Sequence, residues 1–175
     1  MNIRPAIHTD APAIARVHVD TWRVAYRGIV PDDYLDSLSY DTRAAFWARL
    51  ISDPFTPSFV QVAEDDSAQI VGFVSGGPAP LDNPTYEGEL YAIYVLPKAQ
   101  GKGVGRALIR ACAQTLKERG TTSMLLWVLK DNPSARAFYE SLGGQLLNEQ
   151  QFELGGATLT EVGYGWPDTD SLLTR

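Results

Sequence analysis

Apolar residues in the first third of the chain recur at the three- and four-residue intervals of an amphipathic helix. A short strand is predicted at residues 2–7, before this pattern begins. Gly28 ends the first helix, and Pro31 begins a second one, which breaks near Ser39 and ends at Asp53, before a proline. The positions that recur along the first helix are Ile14, Val17, Thr21 and Val24.

The middle of the chain changes to the alternation and the apolar runs that indicate strands. Residues 58–64 and 69–75 flank a polar turn and predict a hairpin. The Gly- and Pro-rich stretch 76–84 predicts a loop. A further strand is predicted at 89–96, and Pro97 ends it.

The last third of the chain alternates between helical and strand-like segments. A helix is predicted at 104–119, where Gly120 ends it, and an apolar strand follows at 123–129. A second helix begins at Asn132, a good N-cap, with Pro133 in its first turn. This helix is predicted to end at 142. A hairpin with strands at 145–154 and 157–166 follows, and a polar, loose tail is predicted at 167–175.

This order of elements predicts an α/β (α+β) fold, in which helices cover both sides of one mixed sheet. Helical crossovers join parallel strands, whereas hairpins join antiparallel ones. No internal repeat or linker interrupts the pattern. One domain is therefore expected over residues 1–175, with its core at 2–166.

Composition and charge argue against several classes of protein. The 175 residues carry a formal net charge of −6 with a pI near 4.8, which does not suit a general nucleic-acid binder. The single cysteine, Cys112, permits no intrachain disulfide. Residues 1–10 lack a signal-peptide pattern, and no apolar run reaches the roughly 20 residues of a membrane span. We therefore expect a cytoplasmic protein that does not enter a membrane.

The most informative stretch for function is a glycine-rich loop between a strand and a helix. Gly101, Gly103 and Gly105 lack side chains, so that a ligand can approach the backbone closely. The free N–H groups at the start of the following helix favour an anion, and Lys102 and Arg106 add positive charge. The spacing matches neither a dinucleotide fingerprint nor a P-loop. Taken alone, the loop is either a phosphate site or a glycine turn without a ligand.

The surrounding motifs resemble a known family. Gln100-x-x-Gly103-x-Gly105 follows an apolar strand and resembles motif A of the GNAT acetyltransferases. Residues 132–143 fit the pattern N-x-x-A-x-x-F-Y-x-x-x-G, which is similar to motif B of that family. The resemblance runs from residue 2 to about 166. It implies a mostly antiparallel sheet of about six to seven strands, in which the fourth and fifth strands splay apart.

The resemblance also implies that acetyl-CoA is the co-substrate. The backbone of Ile93 and Val95 would pair with the pantetheine amides, and the amides of residues 101–106 would hold the pyrophosphate. Asn132 would bind the pantetheine arm or form its wall, which is compatible with helix capping. The full set of implied cofactor residues is Ile93, Tyr94, Val95, Gln100, Gly101, Lys102, Gly103, Val104, Gly105, Arg106, Asn132, Ser134, Arg136 and Tyr139.

Two side chains are candidates for the chemistry. Tyr139 matches the motif B tyrosine, which implies that it protonates the leaving thiolate; its alternative role is aromatic packing. Glu89 lies eleven residues before Gln100, an offset similar to that of the glutamate base in histone-type members. Its alternatives are a solvated strand end or a water chain in its place. Strict alternation would place Glu89 on one face with Tyr91, Ile93 and Val95.

The acceptor is expected to be a primary amine on a small molecule, such as a polyamine. The resemblance places its pocket between the loop that joins the first two helices, residues 26–32, and the last hairpin near Gly155. Its candidate contacts are Trp22, Tyr26, Tyr34 and Glu89. The alternatives are acetylation of a protein N-terminus or lysine, or a non-catalytic CoA-binding module. Direct attack is expected, because Cys112 fits a buried helix stripe. No metal site is expected, and a homodimer is common in such families.

Overall fold

The computed structural model describes residues 1–81, 83 and 85–174 of the chain. The strands are β1 (Asn2–Pro5), β2 (Phe59–Glu64), β3 (Ile70–Pro78), β4 (Gly88–Val95), β5 (Met124–Leu129), β6 (Gln145–Leu154) and β7 (Ala157–Trp166). The helices are α1 (Ala11–Ala25), α2 (Asp32–Ser37), α3 (Tyr40–Ser52), α4 (Val104–Glu118), α5 (Pro133–Ser141) and α6 (Asp170–Leu173). The predicted order of elements is confirmed, and α6 is an addition to it.

The seven strands of the described residues form one sheet in the order β1-β2-β3-β4-β5-β7-β6. Every neighbouring pair is antiparallel except β4 and β5, which are parallel. The parallel pair is joined by a crossover through α4, as parallel strands require. The predicted mixed, mostly antiparallel sheet is therefore confirmed.

Helices cover both faces of the sheet. On β2, the adjacent residues Val62 and Ala63 point to opposite faces, as the alternation of a strand requires. Val62 packs in a cluster with α1 and α3, whereas Ala63 packs in a second cluster with α4. The amphipathic patterns of the first and fourth helices are thus explained by burial against opposite faces of one sheet.

The parallel strands β4 and β5 pair over a short distance only. Their register runs from Gly88 opposite Met124 to Leu90 opposite Leu126. β4 continues to Val95 and β5 to Leu129, beyond the last paired residues. The two strands therefore splay apart, as predicted, and a wedge opens between them.

A β-bulge in β4 changes which side chains share a face. Ala92 lies opposite Ser75 and Leu90 lies opposite Gly76, so that Tyr91 is an extra residue. Leu90 packs in the same cluster as Ile93 and Val95, on the side of α4. Glu89 precedes Leu90 and points to the other face. The prediction that strict alternation places Glu89 with Ile93 and Val95 is therefore wrong.

Two predicted irregular segments are more ordered than expected. β3 continues to Pro78, so that the predicted loop at 76–84 starts later; its Asp82 and Pro84 lie outside the described residues. Glycine is needed at Gly76, because a Cβ there would lie 3.0 Å from the Glu89 carbonyl oxygen. The tail is not loose, since α6 buries Leu172 against the core; its Arg175 also lies outside the described residues.

Within residues 1–81, 83 and 85–174, no helix has the length and apolar character that a membrane span would need.

Candidate active site

The wedge between β4 and β5 is a cleft of about 990 Å³. α1, the start of α4, α5 and the β6–β7 hairpin complete its walls. The cleft brings together the glycine loop, Glu89 and Tyr139, which are widely separated along the chain. Clefts of this size are typical of sites for small molecules and cofactors.

The glycine loop forms one end of the cleft. Gly101 and Gly103 have φ of +71° and +82°, a left-handed conformation that glycine adopts at little cost. Gly103 occupies the N-cap position of α4, so that the free N–H groups of that helix begin in the loop. The Gln100 side chain donates to the Val95 carbonyl oxygen at 2.9 Å and ties the loop to β4. The arrangement is suited to an anion.

The other loop residues differ in where their side chains lie. Gly105 lines the cleft and is packed against Phe138, whose Cζ would lie 3.1 Å from an added Cβ. Arg106 also lines the cleft. Val104 is buried in the core, and Lys102 is exposed. The predicted roles of Lys102 and Val104 stay predictions.

The strand and helix walls contain most of the predicted cofactor residues. Ile93, Tyr94 and Val95 line the cleft from β4, and Asn132 and Ser134 line it from the start of α5. Asn132 Oδ1 accepts a hydrogen bond from the Ala135 N–H at 3.2 Å, which confirms its predicted capping of α5.

Arg136 does not line the cleft with the other residues of α5. Its guanidinium donates to the Tyr164 hydroxyl and to the Lys130 carbonyl oxygen, both at 3.3 Å. The side chain is therefore held by residues outside the cleft lining, while the Arg136 backbone N–H donates to the Asn132 carbonyl oxygen at 3.1 Å within the helix. Its spacing from Asn132 along the helix could not reveal this.

Tyr139 is a buried residue of α5 that lines the cleft. Burial raises the pKa of its phenol above the ordinary value, and the nearby Tyr94 raises this pKa further. Burial likewise raises the pKa of Tyr26, which faces both Tyr94 and Tyr139. The Tyr139 hydroxyl therefore keeps its proton at neutral pH and can donate it to a strongly basic atom in the cleft.

Glu89 lines the cleft from the start of β4. Burial raises the pKa of its carboxyl to about 7, and the charge of Glu161 contributes to the shift. At neutral pH the carboxyl therefore exists in both protonation states. A group with this pKa can accept a proton without being fully protonated beforehand, which suits a general base.

Aromatic side chains form the end of the cleft near α1. Trp22 and Tyr26 line it, with their rings in an edge-to-face arrangement at 4.9 Å. Val24, which the pattern assigned to the apolar helix side, is 64% exposed and lines the cleft. Tyr34 packs behind Trp22, with ring centroids 6.3 Å apart, and against Gly155 of the β6–β7 turn. The structure therefore brings Trp22 and Tyr26 to the cleft with Glu89, but not Tyr34.

Several cleft residues were missed by the sequence patterns. Four of them come from four different elements, and each is unremarkable in its own segment: Thr21, Trp127, Phe152 and Glu161. The alternation of the last strand shows which residues share a face with Glu161, but it does not show whether that face borders the cleft. Only the pairing of β7 with β5 brings it to the cleft.

Cys112 and His18 are among the titratable residues that are buried outside the cleft lining. Burial raises the pKa of the Cys112 thiol, whose sulfur lies 4.0 Å from that of Met124. The prediction that Cys112 belongs to the core is confirmed. Burial lowers the pKa of His18 to about 3, and its Nδ1 accepts from the Trp47 indole N–H at 3.3 Å. In the part of the chain that the structure describes, no three His, Cys, Asp or Glu residues cluster as metal ligands would.

Comparison with known proteins gives consistent matches. The model of the acetyltransferase (GNAT) family matches residues 17–144. YuaI of Bacillus subtilis (strain 168), an uncharacterized N-acetyltransferase, is 41% identical over 175 residues, which cover 99% of this chain and 97% of YuaI. A mycothiol acetyltransferase of Kocuria rhizophila is 42% identical over 84 residues, only 27% of its length and 47% of this chain.

The fold is also found among solved structures. The PaiA N-acetyltransferase of Thermoplasma acidophilum, solved in complex with coenzyme A, superposes with a TM-score of 0.73. It is 20% identical, and the match covers 91% of this chain and 96% of PaiA. At 20% identity, this likeness shows a shared fold alone.

Proposed function

The chain belongs to the acetyltransferase (GNAT) family and is an N-acetyltransferase, as its motifs predicted. From this premise we propose its substrates and its mechanism. We propose that it transfers an acetyl group from acetyl-CoA to a primary amine of a small molecule such as a polyamine. The observation that carries the proposal is that one cleft contains the glycine loop, a carboxylate and a buried phenol. We further propose that the chain forms one domain, because every strand in the part of the chain that the structure describes belongs to one sheet.

The loop and β4 would hold acetyl-CoA. The backbone N–H groups that begin at Gly103 favour the pyrophosphate, and Arg106 adds a positive charge. Beyond Leu90, the edge of β4 that faces β5 is open to pantetheine amides, as to an added strand. Acetyl-CoA would then extend along the wedge from the loop toward Glu89 and Tyr139.

The chemistry proposed for this cleft is direct attack. The amine nitrogen loses a proton to Glu89, directly or through water, and forms a bond to the thioester carbonyl carbon. The resulting tetrahedral intermediate collapses with cleavage of the carbon–sulfur bond. The sulfur leaves as a thiolate and takes a proton from Tyr139, so that the products are the acetylated amine and CoA. Glu89 then releases its proton to solvent, and Tyr139 is reprotonated from solvent.

The experiment that tests this function is an amine screen. The protein is incubated with acetyl-CoA and polyamines, monoamines, amino acids, aminoglycosides or peptides, and free CoA thiol is measured. We expect release above background hydrolysis with small amines. Release with peptides alone would replace this proposal with protein acetylation. No release with any acceptor, although acetyl-CoA binds, would indicate a non-catalytic CoA-binding module.

Alanine at Gly103 is expected to weaken acetyl-CoA binding. Gly103 has φ of +82° with open space around its Cβ position, so that a methyl group there would project into the cleft. We expect a loss of unfolding free energy of about 1–2 kcal/mol from the left-handed backbone. The Kd for acetyl-CoA should also rise about tenfold, the effect of one impaired hydrogen bond to a charged group. Calorimetry measures both quantities.

Gly120 is the matched control for this substitution. It has φ of +86°, also with nothing within 4 Å of its Cβ position, and follows the other end of α4. Gly120→Ala should lose similar stability while acetyl-CoA binding stays unchanged. Equal binding losses in the two variants would contradict a direct role for the Gly103 loop.

A further inference from the structure

Glu161 is a second carboxylate of the cleft, on the other side of β5 from Glu89. It lies on β7 opposite Leu129 of β5, and it lines the cleft. One of its oxygens, Oε1, accepts a hydrogen bond from Gln150 Nε2 at 2.6 Å. This bond orients the carboxylate and leaves the other oxygen available to a ligand.

The two carboxylates at this end of the cleft have no basic neighbour close by among the described residues that line it. Among the described residues that line the cleft, Arg106 is the only basic one, and it belongs to the glycine loop. Glu89 and Glu161 thus share a cleft with aromatic side chains, including Trp22, Tyr26 and Trp127. Aromatic faces and carboxylates together favour a cation.

A buried hydroxyl gives independent evidence of a missing polar partner. Thr21 is 5% exposed and lines the same cleft. Within the described residues, its Oγ1 is buried and has no hydrogen-bond partner. Buried polar groups are generally paired, so that a ligand N–H at this position would satisfy Thr21.

We infer that Glu161 binds a second cationic group of the acceptor, so that the enzyme prefers diamines to monoamines. This inference rests on the proposed function. The reacting nitrogen must be neutral when it attacks, and therefore cannot stay the ionic partner of a second carboxylate. An ammonium group elsewhere on the same acceptor keeps its charge throughout. Its contact with Glu161 would orient the reacting nitrogen toward Glu89.

The test compares acceptors that differ in one terminal group. Butane-1,4-diamine, 4-aminobutan-1-ol and 4-aminobutanoate are assayed with acetyl-CoA, and kcat/KM is measured for each. The wild-type enzyme should prefer the diamine to the amino alcohol by about tenfold or more, the value of a hydrogen bond to a charged group. 4-Aminobutanoate should be the poorest acceptor, because its carboxylate is repelled. Glu161→Gln should abolish the preference for the diamine.

Glu149→Gln is the matched control, because Glu149 lies on the same hairpin and does not line the cleft. Its carboxylate pairs with Lys130 Nζ at 2.9 Å. This variant removes a charge of the same sign and should keep the wild-type preference. A loss of preference in both variants would indicate long-range charge and would overturn a contact at Glu161.

A second readout distinguishes a contact in the cleft from a purely structural role. Removing the charge of Glu161 should shift the pH midpoint of kcat/KM downward, because that charge helps to raise the pKa of Glu89. The titratable and charged side chains that line the cleft with Glu89 are Tyr26, Tyr91, Tyr94, Arg106, Tyr139 and Glu161. Of these, Glu161 is the other carboxylate.

The outcomes separate this inference from the function on which it rests. If the wild-type enzyme acetylates the diamine and the amino alcohol with equal kcat/KM, the role of Glu161 is overturned and the amine acetyltransferase stands. The same holds if Glu161→Gln changes neither the preference nor the pH midpoint. If the wild-type enzyme binds acetyl-CoA but acetylates none of the amines in the screen, both proposals are overturned.

Discussion

Glu89→Gln is expected to lower kcat by about 100-fold or more, the usual contribution of a general base. The wild-type kcat/KM should rise as the pH increases through about 7, since the carboxyl must be deprotonated to accept a proton and its pKa is raised to about 7. In the variant this rise should disappear, and only the ionisation of the amine itself should remain. Steady-state kinetics from pH 5 to 9 with one acceptor measure both effects.

Stability and a neighbouring residue provide the controls for this experiment. Folding raises the pKa of Glu89, so that the folded protein disfavours the charged carboxylate, and this cost appears as the pH rises above the unfolded value. Glu89→Gln should therefore be at least as stable as the wild type at pH 8.

Glu87→Gln is the matched control for the loss of charge. It removes an exposed carboxylate just before β4 and should retain full activity. An unchanged pH profile in Glu89→Gln would contradict the assignment of the base.

Tyr139→Phe is expected to lower kcat by about 100-fold, while the Kd for acetyl-CoA stays within about twofold. The hydroxyl is proposed to protonate the thiolate, an event that follows binding, and the ring that fills the cleft wall is retained. Its pKa lies above the ordinary value because the residue is buried, so that the hydroxyl stays protonated at every pH of the assay. Turnover and calorimetric binding of acetyl-CoA, measured on the same preparation, check this prediction.

Tyr164→Phe is the matched control for the loss of a hydroxyl group. The Tyr164 ring lies 6.1 Å from that of Tyr139, but its hydroxyl bonds with Arg136 and Glu140, outside the cleft. This variant should lose some stability and keep its turnover. Normal turnover in Tyr139→Phe would show that another group, such as water, protonates the leaving sulfur.

The two assignments are consistent because the environment separates the pKa values of the two groups. The pKa of Glu89 is raised to about 7, where the carboxyl can accept a proton at neutral pH. The pKa of Tyr139 is raised above its ordinary value, so that the phenol keeps its proton. Burial is the main cause of both shifts, and the wedge between β4 and β5 buries both side chains in one cleft. An acid and a base with separated pKa values in one site is the arrangement that acyl transfer to an amine needs.

Much of the fold was predictable because its signals are local. Helix spacing, the capping Asn132 and the glycines of the loop act within a few residues, and each was found where the pattern indicated. The errors lie where distant parts of the chain meet. Gly76 was assigned to a loop from the composition of its segment, but it lies in β3, where β4 passes so close that an added Cβ would lie 3.0 Å from the Glu89 carbonyl oxygen. Leu172 was assigned to a polar tail, although it covers part of the core.

For the site, the sequence by itself determined the glycine loop and the pair Glu89 and Tyr139 as candidates, because their motifs depend on spacing along the chain. Tertiary structure alone decided that Glu161 joins them, that Arg136 turns away and that Tyr34 lies behind Trp22. For Glu161 the physical reason is that side-chain direction in a splayed sheet depends on strand pairing. Arg136 and Tyr34 lie on helices, and their directions follow from tertiary contacts with Tyr164 and Trp22. Periodicity within one segment shows how residues alternate, but the partner strand decides which of them face the cleft.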